Sequence, residues 1–159
     1  VTTSFLLGEY RRTLDDRYRL SIPTELAEPL LKLDGNCMLV KERPGCLSLW
    51  SCGQWQERLD RGVQLIRSKL EAGRLEGRLE QVQRLGRLLS TRQRPVKLAG
   101  RGRLVLPEGF REFLNAEVGG DVLVVGAALC VEIWQPAAWV GHLEEAIPEF
   151  HRLFDELSA

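Results

Sequence analysis

Hydrophobic and polar positions change period several times along this chain. Phe5, Leu7, Tyr10 and Leu14 alternate loosely with polar neighbours, which predicts a strand over 5–14. Arg19-Leu20-Ser21-Ile22 has period 2, with Leu20 and Ile22 on one face and Arg19 and Ser21 on the other, a second strand. Asp15-Asp16-Arg17 is a turn by composition, so the two strands read as a hairpin with its tip at 15–18. The period then lengthens. Pro23 suits the first turn of a helix, and Leu26, Leu30 and Leu33 supply its apolar stripe. Pro29 is expected to end or kink that helix, and Gly35-Asn36 to break it. Cys37–Lys41 and Cys46–Trp50 read as short apolar strands across a Pro44-Gly45 turn. From Gln54 the apolar residues fall at Trp55, Leu59, Val63, Ile66 and Leu70, the spacing of an amphipathic helix. Gly73 interrupts it, and Leu75, Leu79, Val82, Leu85 and Leu89 mark a second helix, which Pro95 closes.

The pattern then starts over. Val96–Leu98 and Arg103–Leu106 flank another tip, Pro107–Leu114 reads as a helix, and Asp121–Val125 and Cys130–Trp134 read as strands. Pro136 opens a helix carrying Trp139, Leu143 and Ile147. Pro148 kinks it, and Phe150, Leu153, Phe154 and Leu157 continue the stripe. The chain is a duplication at an offset of 84 residues: Leu14–Pro23 recurs as Leu98–Pro107, and 14 of 46 positions are identical between 14–59 and 98–143. The same offset maps Leu39-Val40 onto Leu123-Val124, Cys46 onto Cys130, Trp50 onto Trp134 and Trp55 onto Trp139. The divisions expected are a first repeat over 5–51, a helical connection over 52–94, a second repeat over 95–138 and a C-terminal helical segment over 139–159. The fold expected is α+β and mainly β. Two short-stranded units cannot each bury both faces, so they should close on each other as a pseudo-twofold barrel with outer helices.

Composition adds an asymmetry. Lys+Arg and Asp+Glu both total 22 in the 159 residues, yet 60–103 carries a balance of +8 and 104–159 a balance of −8. Such segregation suits an anion-binding surface, self-association between opposite ends, or both. The four cysteines, Cys37, Cys46, Cys52 and Cys130, form no C-x-x-C pair, and His142 and His151 do not complete a zinc spacing. Buried, reduced thiols are expected. No run reaches membrane-spanning length and no signal peptide opens the chain, so a cytoplasmic protein is expected.

No catalytic pattern emerges. No His stands near a Ser, Cys or Asp in a nucleophile arrangement, and there is no phosphate-binding glycine loop, so an enzyme is not expected. The tips are the candidate chemistry. The first presents Arg17, Tyr18 and Arg19, with Arg11 and Arg12 opposite on the incoming strand; the second presents Arg101 and Arg103, with Lys97. A basic ribbon is narrow enough for a DNA major groove, and Arg fits guanine O6/N7 and phosphate bidentately. Arg17 and Arg19 recur as Arg101 and Arg103, although solvated turn charges would recur too. Asp15 would repel phosphate. Four residues before Arg19 it can instead pair with that guanidinium and position the turn.

Asp15-x-x-x-Arg19-Leu-Ser-Ile-Pro23, repeated as Gly102-Arg103-Leu-Val-Leu-Pro107, resembles the MraZ family of bacterial transcriptional regulators, as do Cys46–Trp55 and Cys130–Trp139. The resemblance implies tandem SpoVT-AbrB-type swapped-hairpin modules. It also implies a nucleoid-associated DNA-binding regulator, a repressor, of the division and cell-wall gene cluster. Guanine-rich promoter repeats, a homo-oligomeric ring and the absence of a cofactor follow from the same likeness. The family motif is Asp-x-x-Gly-Arg; Tyr18 replaces its Gly in the first copy and Ala99 its Asp in the second. Two other readings stand beside this one. An AbrB-like regulator with a different operator usually has one module per chain. An oligomeric interaction module would not bind DNA.

Overall fold

In the computed structural model, which describes residues 5–159, the first two strands form where the alternation predicts them but do not ladder with each other. The elements in order are β1 (Leu6–Thr13), β2 (Arg19–Ser21), α1 (Thr24–Leu33), β3 (Asn36–Arg43), β4 (Cys46–Ser51), α2 (Cys52–Glu71), α3 (Leu79–Thr91), β5 (Gln93–Lys97), β6 (Arg103–Val105), α4 (Glu108–Leu114), β7 (Asp121–Ala128), β8 (Val131–Trp134), α5 (Pro136–Ala146) and α6 (Phe150–Ser158). About half the chain is helical, so the expectation of a mainly β protein is corrected to a mixed one built on a large antiparallel sheet. The long α2–α3 excursion and the tail supply most of that helix. Among the described residues no helix is long and apolar enough to cross a membrane.

The six-stranded sheet has the order β1-β7-β8-β4-β3-β5, and β2 and β6 form a separate two-stranded ribbon. Under the 84-residue equivalence the order reads the same from both ends. Leu20 of β2 pairs with Leu104, its own equivalent, and Ser48 of β4 with Glu132, its own equivalent. β1 pairs with β7 of the second repeat, and β5 with β3 of the first. The predicted hairpins are therefore opened. Between β1 and β2 only the tip is closed, and the strands diverge to partners in the other half of the chain. A main core fills the space enclosed by Leu20, Ile22, Leu39, Leu49, Leu104, Leu106, Val124 and Ile133, together with α1 and α4.

One sequence equivalence fails. Leu39 stands opposite Leu49, whereas Leu123 stands opposite Trp134 and Val124 opposite Ile133, the equivalent of Leu49. The structural counterpart of Leu39 is thus Val124, and the identical pair Leu39-Val40 and Leu123-Val124 is out of step by one. Because side chains alternate, a one-residue slip changes the face. Leu39 and Val124 lie in the main core, and Leu123 packs on the opposite side with Cys46 and Trp134. An extra residue before β7 causes the slip, and the bulge in β3 between Lys41 and Arg43 restores step at the hairpin end.

Helices α2 and α5 are fastened to the outer side by tryptophans. Trp50 and Trp55 meet at 5.4 Å between ring centroids and Trp134 and Trp139 at 5.1 Å. Trp55 Nε1 donates to Gln93 Oε1 at 2.7 Å, and Trp139 Nε1 to Glu9 Oε1 at 2.9 Å. Glu9 and Gln93 are repeat equivalents, so each helix bonds to the edge strand contributed by the other repeat. The Ser51 side chain accepts the Gln54 N–H and caps α2.

Two prolines sit inside elements rather than ending them. Pro29 does not end α1, which runs on to Leu33; the forgone bond would have gone to the carbonyl of exposed Glu25. Pro95 lies inside β5 rather than closing the helical tract, and β5 is an edge strand, where a missing N–H is tolerated. The thiols are free; Cys37, Cys46 and Cys130 are buried and Cys52 partly so. Burial pushes Cys37 and Cys130 up to about 12 and Cys46 higher still, so none is a reactive thiolate.

Gly126 of β7 lies against β1 so closely that a Cβ there would sit 2.6 Å from the Leu6 carbonyl carbon and the Leu7 nitrogen. Gly126→Ala should therefore loosen the cross-repeat β1–β7 ladder. A loss of about 1–3 kcal/mol is expected, the usual range for forced overpacking. Thermal unfolding and amide exchange in β1 measure it, and an unchanged Tm would contradict the close approach.

Candidate nucleic-acid interface

The first tip is closed by its carboxylate. Asp15 Oδ1 accepts the backbone N–H of Arg17 at 2.9 Å and of Arg19 at 2.8 Å, and Oδ2 accepts Arg19 Nε–H at 2.7 Å. The Asp15 N–H donates to the Arg19 carbonyl at 3.1 Å, and the Tyr18 N–H to the Asp15 carbonyl at 3.1 Å. The Arg19 backbone N–H, with help from its guanidinium and the Arg17 N–H, holds the Asp15 carboxyl below the usual carboxylate range against an opposing desolvation. The ion pair suggested by the Asp15–Arg19 spacing is formed. It uses Arg19 Nε, and among the described residues the two terminal amino groups make no hydrogen bond or ion pair.

The second tip closes without a carboxylate. The Ala99 N–H donates to the Arg103 carbonyl at 2.9 Å and the Gly102 N–H to the Ala99 carbonyl at 3.0 Å. Arg101 and Gly102 both take left-handed backbone, at φ 67 and 76. Arg17, Arg101 and Arg103 are exposed, and among the described residues none of them has an ion-pair partner.

Tyr18 adopts φ 58, the same left-handed region as its equivalent Gly102, and both tips close with equivalent backbone bonds, but Arg101 is left-handed and Arg17 is not, so the turns differ at the apex. Such backbone costs a non-glycine residue about 1–2 kcal/mol. The offset comes from Arg111, whose guanidinium carbon lies 3.9 Å from the Tyr18 ring centroid and whose Nε donates to the Leu106 carbonyl at 2.6 Å. At the second tip the corresponding pair is Gly102 and Ala27; a Cβ on Gly102 would lie 2.6 Å from the Ile22 carbonyl oxygen and 2.9 Å from Ala27 Cβ. Across the repeats a large pair, Tyr18 and Arg111, stands where a small pair, Gly102 and Ala27, stands in the other copy. The two tip carbonyls accept equivalent bonds: the Leu106 N–H donates to Tyr18 O at 3.0 Å and the Ile22 N–H to Gly102 O at 2.8 Å.

The β2–β6 ribbon turns Leu20 and Leu104 inward and Arg19, Ser21, Arg103 and Val105 outward. Arg19 and Arg103 therefore share its outer side, related by the exchange of repeats. Together with Lys97, Val96, Ala99 and Val105 they line a shallow groove of about 340 Å³. The remaining candidates stand elsewhere. Arg11 and Arg12 belong to β1 in the six-stranded sheet, so they are not across a ladder from Arg17 and Arg19 as the hairpin reading had it. Arg11 Nη1 pairs with Asp121 Oδ2 at 3.1 Å. Half-buried Arg12 lies over the Tyr10 ring at 5.6 Å. Arg111 went unnoticed in the sequence. Its signal was that Ala27 and Gly102, one offset away from Arg111 and Tyr18, are both small.

The Asp15 contacts set a pH dependence. A carboxyl whose folded pKa lies below the ordinary 3.8 stabilises the fold above that value and loses its contribution as pH falls through the lower one. Asp15→Ala should be less stable than the parent from neutral pH down to about that value, with the gap narrowing under further acid. Urea unfolding of both proteins across that range reads it; a gap that widens on acidification would refute the assignment.

Comparison with known proteins places the chain. A family model described as "MraZ protein, putative antitoxin-like" matches residues 93–156, from β5 into α6. A protein of Roseiflexus castenholzii named Transcriptional regulator MraZ is 32% identical over 133 residues, covering 84% of this chain and 82% of the relative. Proteins of the same name from Syntrophomonas wolfei and Pediococcus pentosaceus are 28% and 27% identical, covering 95% and 96% of this chain and 95% and 93% of their own. With tips of this geometry and likeness over most of its length, the chain belongs to the MraZ family.

Proposed function

We propose that this protein is a DNA-binding transcriptional regulator, a repressor, that reads guanine-rich promoter repeats of the bacterial division and cell-wall gene cluster as a homo-oligomeric ring. Its tandem repeats, 5–51 and 95–138, act as one swapped-hairpin unit. In that unit the ribbon and the six-stranded sheet are the walls of a pseudo-twofold barrel, and the segments 52–94 and 139–159 lie outside it. The protein works in the cytoplasm, on the nucleoid, and needs no cofactor. The family resemblance supports the gene cluster, the repeats and the ring; the tips supply the mode of contact.

The observation that carries the reading is the placement of Arg19 and Arg103 on one outward side of a two-stranded ribbon, with Lys97 beside them. Such a ribbon fits a major groove, and guanidinium groups with free terminal amines suit guanine edges and phosphates. Arg17 and Arg101, at the apices, extend the contact to flanking phosphates. Arg11 and Arg12 meet more distant backbone from the sheet, and Arg11 would first have to leave Asp121. Tyr18 contributes by holding the first apex in shape, and Asp15 by aiming Arg19. The regulator name borne by the family's curated members agrees with this reading.

Titration of a fragment carrying guanine-rich repeats at two salt concentrations is the test. Affinity should fall steeply with salt, because each neutralised phosphate releases counterions. Arg19→Ala and Arg103→Ala should each lose about 1–3 kcal/mol per subunit. Contacts add across a multivalent assembly, so loss of Arg19 from every subunit should nearly abolish binding. Asp15→Ala should weaken binding less. Salt-independent or absent binding by the parent protein would favour an oligomeric module that has no DNA contact, and full affinity of Arg19→Ala would remove Arg19 from the interface.

A further inference from the structure

The outer side of the β2–β6 ribbon is symmetric in its arginines and asymmetric in what stands beside them. Arg19 faces Val105 across the ladder, and Arg103 faces Ser21. Ser21 and Val105 are repeat equivalents, so one half of the ribbon presents a hydroxyl where the other presents an isopropyl group. The difference extends beyond the ribbon. Val96 and Ala99 join Val105 in the groove of about 340 Å³ that also carries Arg19, Lys97 and Arg103. One offset away, Val96, Ala99 and Val105 correspond to Arg12, Asp15 and Ser21, all polar. Val105 itself is 53% exposed. A lone exposed valine is ordinary. This one shares its groove with three cationic side chains, so whatever polyanion they hold also covers it.

We propose that Val105 is a specificity-determining residue that reads the C5-methyl of a thymine beside a guanine, and that Ser21 leaves the opposite half of the ribbon indifferent to that methyl. The inference rests on the reading of the ribbon as the DNA-contacting surface and names what that surface selects. Of the four bases only thymine shows a methyl group in the major groove, and an apolar side chain is its favourable contact. Val105 stands directly opposite Arg19, whose guanidinium is held by Asp15. Paired residues of an antiparallel ladder lie about 4.5–5.5 Å apart. That exceeds the base step of about 3.4 Å along a strand, so the guanine edge and the methyl belong to neighbouring base pairs. On the other half Arg103 faces Ser21, whose hydroxyl bonds to either kind of base edge and gives thymine no advantage. A reader with twofold symmetry matches an inverted sequence. With one methyl-sensitive half, the ribbon has a direction, and its thymine lies on one side of the guanines only.

The test isolates the methyl group. Duplexes of guanine-rich repeats are made with thymine either preceding or following each guanine run, and each is paired with a copy carrying deoxyuridine, which lacks only the methyl. The parent protein should bind the deoxyuridine copy about fourfold more weakly per repeat in one arrangement, the worth of one methyl left in water, and equally well in the other. Val105→Ser should bind both members of each pair alike, and Ser21→Val should show the methyl effect in both arrangements. Each substitution places at an exposed position the residue of the other repeat, so the fold should survive, and circular dichroism checks that it does. If Val105 only supported the strand, its loss would weaken both members of a pair by one factor and keep the methyl effect. That result, a parent indifferent to the methyl in both arrangements, or an equal effect in both would each overturn the proposal. A parent that ignores the methyl yet binds with a steep salt dependence would leave the ribbon as the DNA-contacting surface, whereas no binding to any duplex would overturn both.

Discussion

The contact between Leu20 and Leu104 on the inner side of the β2–β6 ribbon is the constraint from which the rest of the molecule follows. Each leucine is almost fully buried, and each faces its own repeat equivalent. A three-residue strand has too few hydrogen bonds to stand alone, so β2 and β6 hold only because each covers the other's apolar side. That pairing keeps β2 from folding back on β1, and β6 from folding back on β5. β1 and β5 are left to complete the sheet on the strands of the opposite repeat. Neither repeat can bury its share of the core without the other, which is why no flexible linker is needed to keep the halves together.

The same exchange explains the form of the tips. Where β1 leaves for the sheet and β2 for the ribbon, the chain must reverse within a few residues. The reversal is secured by a left-handed residue whose carbonyl receives an N–H from the other repeat. Glycine meets this need at residue 102 and tyrosine at residue 18, and each choice is matched by the residue that packs on it, Ala27 or Arg111. Asp15 adds a second lock to the first tip only. The two tips therefore share their closing bonds but present arginines on different apex backbones, left-handed at Arg101 and not at Arg17, and in different surroundings. Arg19 is oriented by a carboxylate, whereas Arg101 and Arg103 have no such restraint.

The helical excursion and the tail are organised on another principle. They are tied to the sheet near their N-terminal ends, by Trp55 and Trp139 and by Arg58 over Trp50 and His142 against Trp134, and beyond these anchors the apolar faces are left half open. Charge is segregated between them in the same sense as the exposed faces.

Much of this was legible in the sequence. The duplication, the order of elements, the free buried cysteines and the Asp15–Arg19 pairing all follow from spacing and composition, because local periods and a fixed offset record which residues share a face. The sequence could not say which strands pair. Alternation marks a strand without naming its neighbour, so β1 and β2 read as a ladder when their partners lie about a hundred residues away. Nor could the offset reveal that Leu39 answers to Val124, because a bulge and an inserted residue cancel in the count while reversing the face between them. The stacking of Arg111 on Tyr18 was likewise invisible, since it joins the first repeat's turn to the second repeat's helix. What a residue is and how often its neighbours recur is written along the chain. Which half of the chain it meets is decided only when the two repeats exchange strands and bury one core between them.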